Sequence, residues 1–364
     1  MKFKINITKT NQSNLSNVDF DAIPFGRTFS DHMFVADYRD GKWTNPRIVP
    51  FGHFQVHPAT LALHYGQSIF EGMKASVDKN GQPMLLRPEM HARRLNASAA
   101  RMCMPDFPED LFVEALHALV DIDRNWIPPK DGSALYIRPM MFADGEFIGV
   151  QASDSYKMLI FTGPVGPYYP KPVRLIVEEK YVRAAVGGVG EAKTAGNYAA
   201  SLLPAQLAKK KGYDQVVWMD AKEFKYIQEV GTMNLFFVID GKVVTPATDG
   251  AILKGITRDM IMTILRDKGY TVEERPISID EVVEAYHKGL LQEAFGAGTA
   301  AVVAQVSDIT YRDLQMDLPA PKDQKISLLA KSIINGLRSG EIEDTYGWTI
   351  PVKGAVAARA KTSA

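Results

Sequence analysis

The sequence holds a single cysteine, Cys103, in 364 residues. One thiol can form neither an intrachain disulfide nor a cysteine-based zinc site, so the core must hold the fold. No H-E-x-x-H motif or Cys/His cluster occurs, and no metal site is expected. Charge of one sign is also lacking. The 42 basic and 42 acidic residues cancel, and without a basic excess a nucleic-acid partner is not expected. A local basic pocket stays open. No run of eighteen apolar residues occurs, so no membrane span is expected. The first twenty residues, MKFKINITKTNQSNLSNVDF, have neither the apolar region of a secretory signal nor the arginines of a transit peptide. They read as a mobile arm, and the expected location is the cytoplasm. Internal repeats and low-complexity tracts are absent too.

What is present is the balance of a soluble globular protein, 46% hydrophobic and 23% charged. The length exceeds one ordinary core, so two domains are expected. The Gly- and Pro-rich stretch GPVGPYYPKPV, 163–173, reads as a stiff connector. This gives an N-terminal domain over 1–165, a linker over 166–174 and a second domain over 175–364.

Within the first part, residues 57–76 suggest a buried helix as far as Phe70, ended by Gly72. Asp40-Gly41 and Asn80-Gly81 mark hairpins. Residues 88–102 form an arginine-rich helix, and 108–126 an amphipathic helix with an acidic start. In the strand SALYIRPMMFA, Tyr136 and Arg138 share a face. An arginine there needs a partner, either a structural carboxylate or a carboxylate on a substrate. In the second part, a strand over 173–183 precedes the glycine loop GGVGEAKTAGNYAAS, and Pro204 is expected to kink the helix that follows it. The segment 255–269 is an amphipathic helix, Ser278 and Glu281 form a capping box, and EAFGAGTAAVVAQV holds a second glycine turn.

Lys193 lies inside that glycine loop. A solvated loop lysine, a degenerate phosphate loop and a Schiff-base lysine all fit the loop alone. The phosphate loop fails at Ala192, where its second glycine belongs. The turn at Gly296, Gly298 and Ala301 fits a dinucleotide fingerprint loosely, without the following helix. The Schiff-base reading asks for companions: a carboxylate for a pyridine nitrogen, a donor for the ring oxygen, and a helix N-terminus for a phosphate. The chain offers Glu229, Tyr198 and the helix start at Gly255-Ile256-Thr257. On this reading the loop glycines make room for a cofactor ring and phosphate.

EAKTAGNY, QEVGTMNLF, LKGITRD and FGAGTA, in that order and spacing, resemble the branched-chain aminotransferases, which are fold-type IV pyridoxal-phosphate enzymes. FGRTFSDHMF, LHYGQSIFEGMKA and LYIRPMMFA are similar to the same family, and the likeness spans roughly residues 20–350. The lysine loop and the glutamate also occur in D-amino-acid aminotransferases and aminodeoxychorismate lyase, which are usually shorter and lack these N-terminal motifs in this form. The resemblance implies an α+β fold, with a small α/β N-terminal domain and a larger β-rich C-terminal domain.

It further implies pyridoxal 5′-phosphate as cofactor, with Lys193 as Schiff-base lysine and acid–base. Glu229 corresponds to the acid at the pyridine nitrogen and Tyr198 to the donor at the ring oxygen. Arg94, Ile256, Thr257 and Thr299 correspond to the phosphate contacts. Phe29, Tyr65, Tyr168 and Met233 match the apolar pocket, and the backbone at Thr299 and Ala300 the α-carboxylate position. Tyr136 and Arg138 match the pair linked to the distal carboxylate of glutamate. The implied substrates are L-leucine, L-isoleucine and L-valine with 2-oxoglutarate and L-glutamate, in a homodimer whose second subunit completes the pocket wall. Mammalian relatives carry a C-x-x-C pair soon after the glycine turn. Here those positions are Ala301 and Ala304, so no thiol switch is expected there, and a bacterial type is favoured.

Overall fold

The computed structural model describes residues 3–354 apart from 131, 167 and 170. Two of these exceptions, Pro167 and Pro170, belong to the expected connector and lie outside the described residues. Contacts divide the chain into two compact units that change over between Tyr168 and Tyr169. Two pieces lie in the first unit although they follow that point: Ala192–Ala195, and the stretch from Asn335 onward. Each is held there by backbone pairing. Thr194 bridges to Ile69, and the strand Thr349–Pro351 pairs antiparallel with Pro83–Leu86.

The described part of the first unit is built on one nine-stranded sheet. Its centre is antiparallel, with Ala134–Ala143 between Tyr156–Val165 and Met73–Val77. The hairpin His32–Arg39 and Lys42–Pro50 continues it beyond Tyr156–Val165. That hairpin turns at Asp40 (φ 51°) and Gly41 (φ 75°), the two left-handed residues a two-residue hairpin requires. Helices Pro88–Arg101 and Glu109–Ile122 bury Ala92, Leu95, Leu111 and Leu116 in the same core as Phe34, Ile137 and Met158 of the sheet. Proline sits at the start of both helices, where its missing N–H costs nothing.

One expectation fails here. The helix expected to reach Phe70 covers only Leu61–Tyr65. Gly66 takes φ 67° and ends it, and the chain continues as the strand Ser68–Phe70, paired with Ala134–Ala143. The apolar run at 68–70 therefore alternates across a sheet instead of circling a helix, and that change directs Phe70 towards Arg138.

In the second unit, six strands close on themselves. In hydrogen-bonded order they are Ile227–Val230, Gln215–Met219, Val173–Val177, Val302–Tyr311, Leu291–Gly298 and Met233–Ile239, and the last pairs again with the first. Alternate residues Val173, Leu175, Val217, Leu235 and Phe237 share one core with Ile279, Val282 and Ala285 of the helix Ile279–His287. Period-two burial of this kind is what a strand with one inward face produces. The strand expected over 173–183 stops at Val177. The capping box forms by half: Ser278 Oγ accepts the Glu281 N–H at 3.1 Å, while the Glu281 carboxylate turns to Arg275 at 2.5 and 2.9 Å. The helix Ala195–Lys210 continues through Pro204. Among the described residues no helix is long and apolar enough to cross a membrane.

Candidate functional site

The first unit holds Lys193 as an added edge to the strand Ser68–Phe70. Its N–H donates to Ser98 Oγ at 2.9 Å and its carbonyl accepts the Phe70 N–H at 3.0 Å. Thr194 Oγ1 donates to the Ser68 carbonyl at 2.8 Å. The Lys193 ammonium lies 4.8 Å from the centre of the Phe70 ring.

The helix Pro88–Arg101 presents His91, Arg94 and Ser98, spaced i, i+3 and i+7, along one face. Arg94 grips Glu71 with Nε at 2.7 Å and Nη2 at 2.8 Å, which fixes the plane of the guanidinium. His91 Nδ1 lies 2.7 Å from Glu71 Oε2. Glu71 is fully buried. Burial alone would raise its carboxyl, but Arg94 and His91 outweigh that and hold it well below the usual carboxylate range. Burial lowers His91, against the pull of Glu71, and the positive charges of Arg94 and Lys193 lower it further. The imidazole is then neutral, with Nδ1–H donating to Glu71.

This arrangement carries a pH consequence. Because the folded Glu71 carboxyl titrates below its unfolded value, its contribution to stability is complete above that ordinary value of 4.5 and is lost as pH falls through the depressed one. Acid unfolding followed by circular dichroism should therefore show a shallower loss between pH 5 and pH 3, about one proton less, in Glu71→Gln. An unchanged acid limb in that variant would refute this.

A chain of ring contacts continues from Phe70. The Arg138 guanidinium lies 4.8 Å over the Phe70 ring and donates Nη2–H to Tyr136 Oη at 3.1 Å. Phe25 meets Tyr136 at 5.4 Å and Tyr168 at 4.8 Å between ring centres. Burial raises the Tyr168 phenol, and Tyr136 raises it further. Gly163 pairs with Tyr136 in register, and a Cβ there would stand 2.2 Å from the Thr28 carbonyl oxygen. That glycine lets residues 28 and 29 cross the sheet, where Phe29 packs on Phe51 and Phe161. The structure thus links Lys193, Arg138, Tyr136 and Tyr168. Tyr65, at the end of its short helix, has its ring centre 6.1 Å from that of His64.

The second unit brings Glu229 and Tyr198 to one small cavity, together with Arg183, Asn197, Thr232 and Leu253. Glu229 is buried. Arg183 Nε lies 2.5 Å from its Oε2, and Asn234, its neighbour across the Gly231-Thr232 turn, donates Nδ2–H to its Oε1 at 3.0 Å. Arg183 Nη2 also donates to the carbonyls of Gly190 and Ala251, at 3.0 and 2.5 Å. Asn234 further donates to the Leu253 carbonyl at 2.9 Å, and a Cβ on Gly255 would meet its Oδ1 at 1.9 Å. The same amide therefore ties Glu229 to the start of the helix Ile256–Asp267, whose first N–H groups lack intrahelical acceptors. Ile256 and Thr257 are buried there. Thr299 and Ala300 lie in the turn between Leu291–Gly298 and Val302–Tyr311.

The glycines of the lysine loop differ in what surrounds them, and a Cβ at Gly187 or Gly196 would meet nothing within 4 Å. A Cβ at Gly190 would lie 2.2 Å from the Ala251 carbonyl oxygen, and one at Gly188 3.0 Å from that of Ala185. Gly296 and Gly298 make room for Met233, whose Cε would be 2.6 Å from a Cβ on Gly296. Gly188, Gly190, Gly296 and Gly298 thus serve close packing within the protein.

Sequence reasoning missed Glu71, Arg183, Asn234 and Phe25. Asn234 had a signal, five residues from Glu229 across a tight turn, and the helical spacing of His91, Arg94 and Ser98 was readable. Arg183 had none, being 46 residues from its partner. The first unit supplies a lysine amine, and the second a buried carboxylate, a phenol and an open helix N-terminus. These are the groups pyridoxal phosphate needs. Among the described residues no group of three His, Cys, Asp or Glu could hold a metal ion.

Comparison with known proteins places the chain among the same chemistry. Residues 68–309 match the family described as Amino-transferase class IV. The chain is 46% identical over 338 residues to branched-chain-amino-acid aminotransferase 2 of Bacillus subtilis (strain 168), covering 92% of this chain and 93% of that one. It is 48% identical to a probable branched-chain-amino-acid aminotransferase of Staphylococcus epidermidis, covering 90% and 93%. The solved structure of the T.th. branched-chain amino acid aminotransferase with pyridoxamine 5′-phosphate superposes with a TM-score of 0.72 at 26% identity, covering 88% of this chain and 98% of that one.

Proposed function

The chain belongs to the class IV amino-transferases and, within them, to the branched-chain-amino-acid aminotransferases, and on that premise we propose that it transfers the amine of L-leucine, L-isoleucine or L-valine to 2-oxoglutarate. Its cofactor is pyridoxal 5′-phosphate, which supplies when bound an aldehyde carbon for amines and a ring that accepts electrons from the substrate Cα. Arg94, Ile256, Thr257 and Thr299 would hold the phosphate, Tyr198 the ring oxygen and Glu229 the pyridine nitrogen. Lys193 Nζ removes the proton from the substrate Cα and returns one in the reverse sense. Phe29, Tyr65, Tyr168 and Met233 shape the apolar pocket, and the backbone at Thr299 and Ala300 takes the α-carboxylate. The two substrates use the site in turn, so the reaction is ping-pong, and a second copy of the chain completes the pocket.

The observation that carries the choice of acceptor is Arg138. Its guanidinium is stacked on Phe70 and bonded to Tyr136, yet its buried Nε has no hydrogen-bond partner among the described residues. A buried donor of this kind costs stability unless something accepts from it. The distal carboxylate of glutamate or 2-oxoglutarate would do so, while the aromatic rings still offer leucine an apolar wall. Replacing Arg138 with methionine should lower kcat/KM for L-glutamate relative to L-leucine by about a hundredfold. Single-turnover kinetics with each amino acid measure that ratio, and an unchanged ratio would sink the assignment.

A further inference from the structure

Phe25 belongs to the N-terminal arm, yet it meets both tyrosines of the ring chain. Its ring centre lies 4.8 Å from that of Tyr168 at an interplanar angle of 86°, and 5.4 Å from that of Tyr136 at 69°. Both are edge-to-face contacts, an attractive geometry for aromatic pairs at such separations. The backbone is built to give this placement. The Arg27 N–H closes a turn on the Pro24 carbonyl at 3.4 Å. Gly26, the third residue of that turn, takes φ 69°, a conformation that selects glycine there. A Cβ on Gly26 would meet nothing within 4 Å, so the glycine serves the backbone angle and not close packing. Downstream, the Ser30 N–H donates to the Thr162 carbonyl at 2.8 Å, and Thr162 Oγ1 donates to Ser30 Oγ at 2.8 Å. These bonds anchor the segment to the strand Tyr156–Val165, whose Gly163 pairs with Tyr136. Leu15 and Val18 of the same arm pack against the core of the first unit. Phe25 is instead 41% exposed, an apolar ring set on two tyrosines of the site.

We propose that Phe25 is a positioning residue that sets the Tyr168 ring against Tyr136, and so sets the preference for branched apolar side chains over dicarboxylic ones. The proposal rests on the reading that Tyr168 shapes the apolar pocket and that Tyr136 and Arg138 receive the distal carboxylate. Tyr136 has fixed points besides Phe25. Its backbone pairs with Gly163 inside the sheet, and its Oη accepts from Arg138 Nη2–H at 3.1 Å. Gly72 crowds the same hydroxyl, since a Cβ there would lie 2.2 Å from Tyr136 Oη. Tyr168 lies three residues beyond the end of the strand Tyr156–Val165, so strand register does not orient its ring as it does that of Tyr136. The Phe25 ring touches Tyr168 more closely than it touches Tyr136, and nearly at a right angle. Removing it therefore loosens the apolar wall and leaves the carboxylate position in place. Leucine, which gains from that wall, is weakened more than glutamate, which Arg138 holds.

The test is the ratio of kcat/KM for L-glutamate to that for L-leucine, measured on the holoenzyme by single-turnover kinetics. Any loss of folded enzyme lowers both terms alike and cancels. In Phe25→Ala the ratio should rise by about tenfold, opposite in sense to Arg138→Met. The change should lie in half-saturation by leucine, with the limiting rate for leucine held within about threefold. Phe25→Tyr keeps the ring, and its ratio should stay within about twofold of the unsubstituted enzyme. Gly26→Ala keeps the ring but strains the turn, and should raise the ratio by a smaller factor than Phe25→Ala. Tyr168→Ala checks the underlying reading and should also raise the ratio. If Tyr168→Ala raises it while Phe25→Ala does not, this inference fails and the reading of Tyr168 stands. If Tyr168→Ala leaves it unchanged, the reading of Tyr168 fails and the inference falls with it. A Phe25→Tyr enzyme that matched Phe25→Ala would likewise overturn the inference, because the ring would then not be what acts.

Discussion

Replacing Lys193 with alanine should slow both half-reactions by about 10⁴-fold or more, because one amine both holds the cofactor and moves the Cα proton. What fixes the segment is backbone: the Lys193 N–H on Ser98, its carbonyl on Phe70, and the neighbouring Thr194 hydroxyl on the Ser68 carbonyl. None of these contacts uses the lysine side chain. The ammonium's position over the Phe70 ring contributes about 0.5–1 kcal/mol. Stopped-flow traces of each half-reaction, with thermal unfolding as the control, decide the matter. A Lys193→Ala enzyme that kept either half-reaction within tenfold of normal would refute the role assigned to this lysine.

The parts of the site that could be read from sequence are those whose chemistry is local. Lys193 sits in a loop whose composition is odd by itself. Glu229 and Asn234 flank a two-residue turn, and Ile256-Thr257 open a helix after a glycine. The parts that could not be read depend on residues brought together over distance. Glu71 meets Arg94 across 23 positions, and in the sequence it is an ordinary acid before a glycine. Arg183 lies beyond the end of its strand, and the two carbonyls that orient it belong to Gly190 and Ala251. The packing role of Gly190 could not be read for the same reason. A glycine records that something comes close, but only the fold shows that Ala251 is what approaches Gly190. The helix expected as far as Phe70 failed because Gly66 could end it early, and a short apolar run fits a helix turn and a strand equally well.

The Arg183–Glu229 pair gives the second large expected effect, because it separates catalysis from stability. Glu229→Gln keeps the shape but removes the charge proposed for the pyridine nitrogen, and its one amide oxygen can accept from only one of Arg183 and Asn234. Both half-reactions should slow by about 10²–10³-fold, with a loss of stability smaller than that of an apolar replacement, because one acceptor oxygen remains. Glu229→Leu should be equally slow and also less stable by about 3 kcal/mol, because Arg183 is left buried without its carboxylate. The cost falls at the low end of the usual range because Arg183 keeps the Gly190 and Ala251 carbonyls as acceptors. Removing both charges in Arg183→Met/Glu229→Leu should restore about a third of the lost stability. Apolar replacement of a buried pair is often close to neutral, but here it leaves the two carbonyls without their donor, at about 1 kcal/mol each. The double variant should nevertheless remain as slow as Glu229→Leu. Denaturant unfolding and single-turnover rates on the unsubstituted enzyme and these three variants form a series in which stability partly recovers and chemistry does not. Recovery of rate in the double variant would mean that the loss in Glu229→Leu came from Arg183 distorting the site, and that Glu229 makes no direct electrostatic contribution to the reaction.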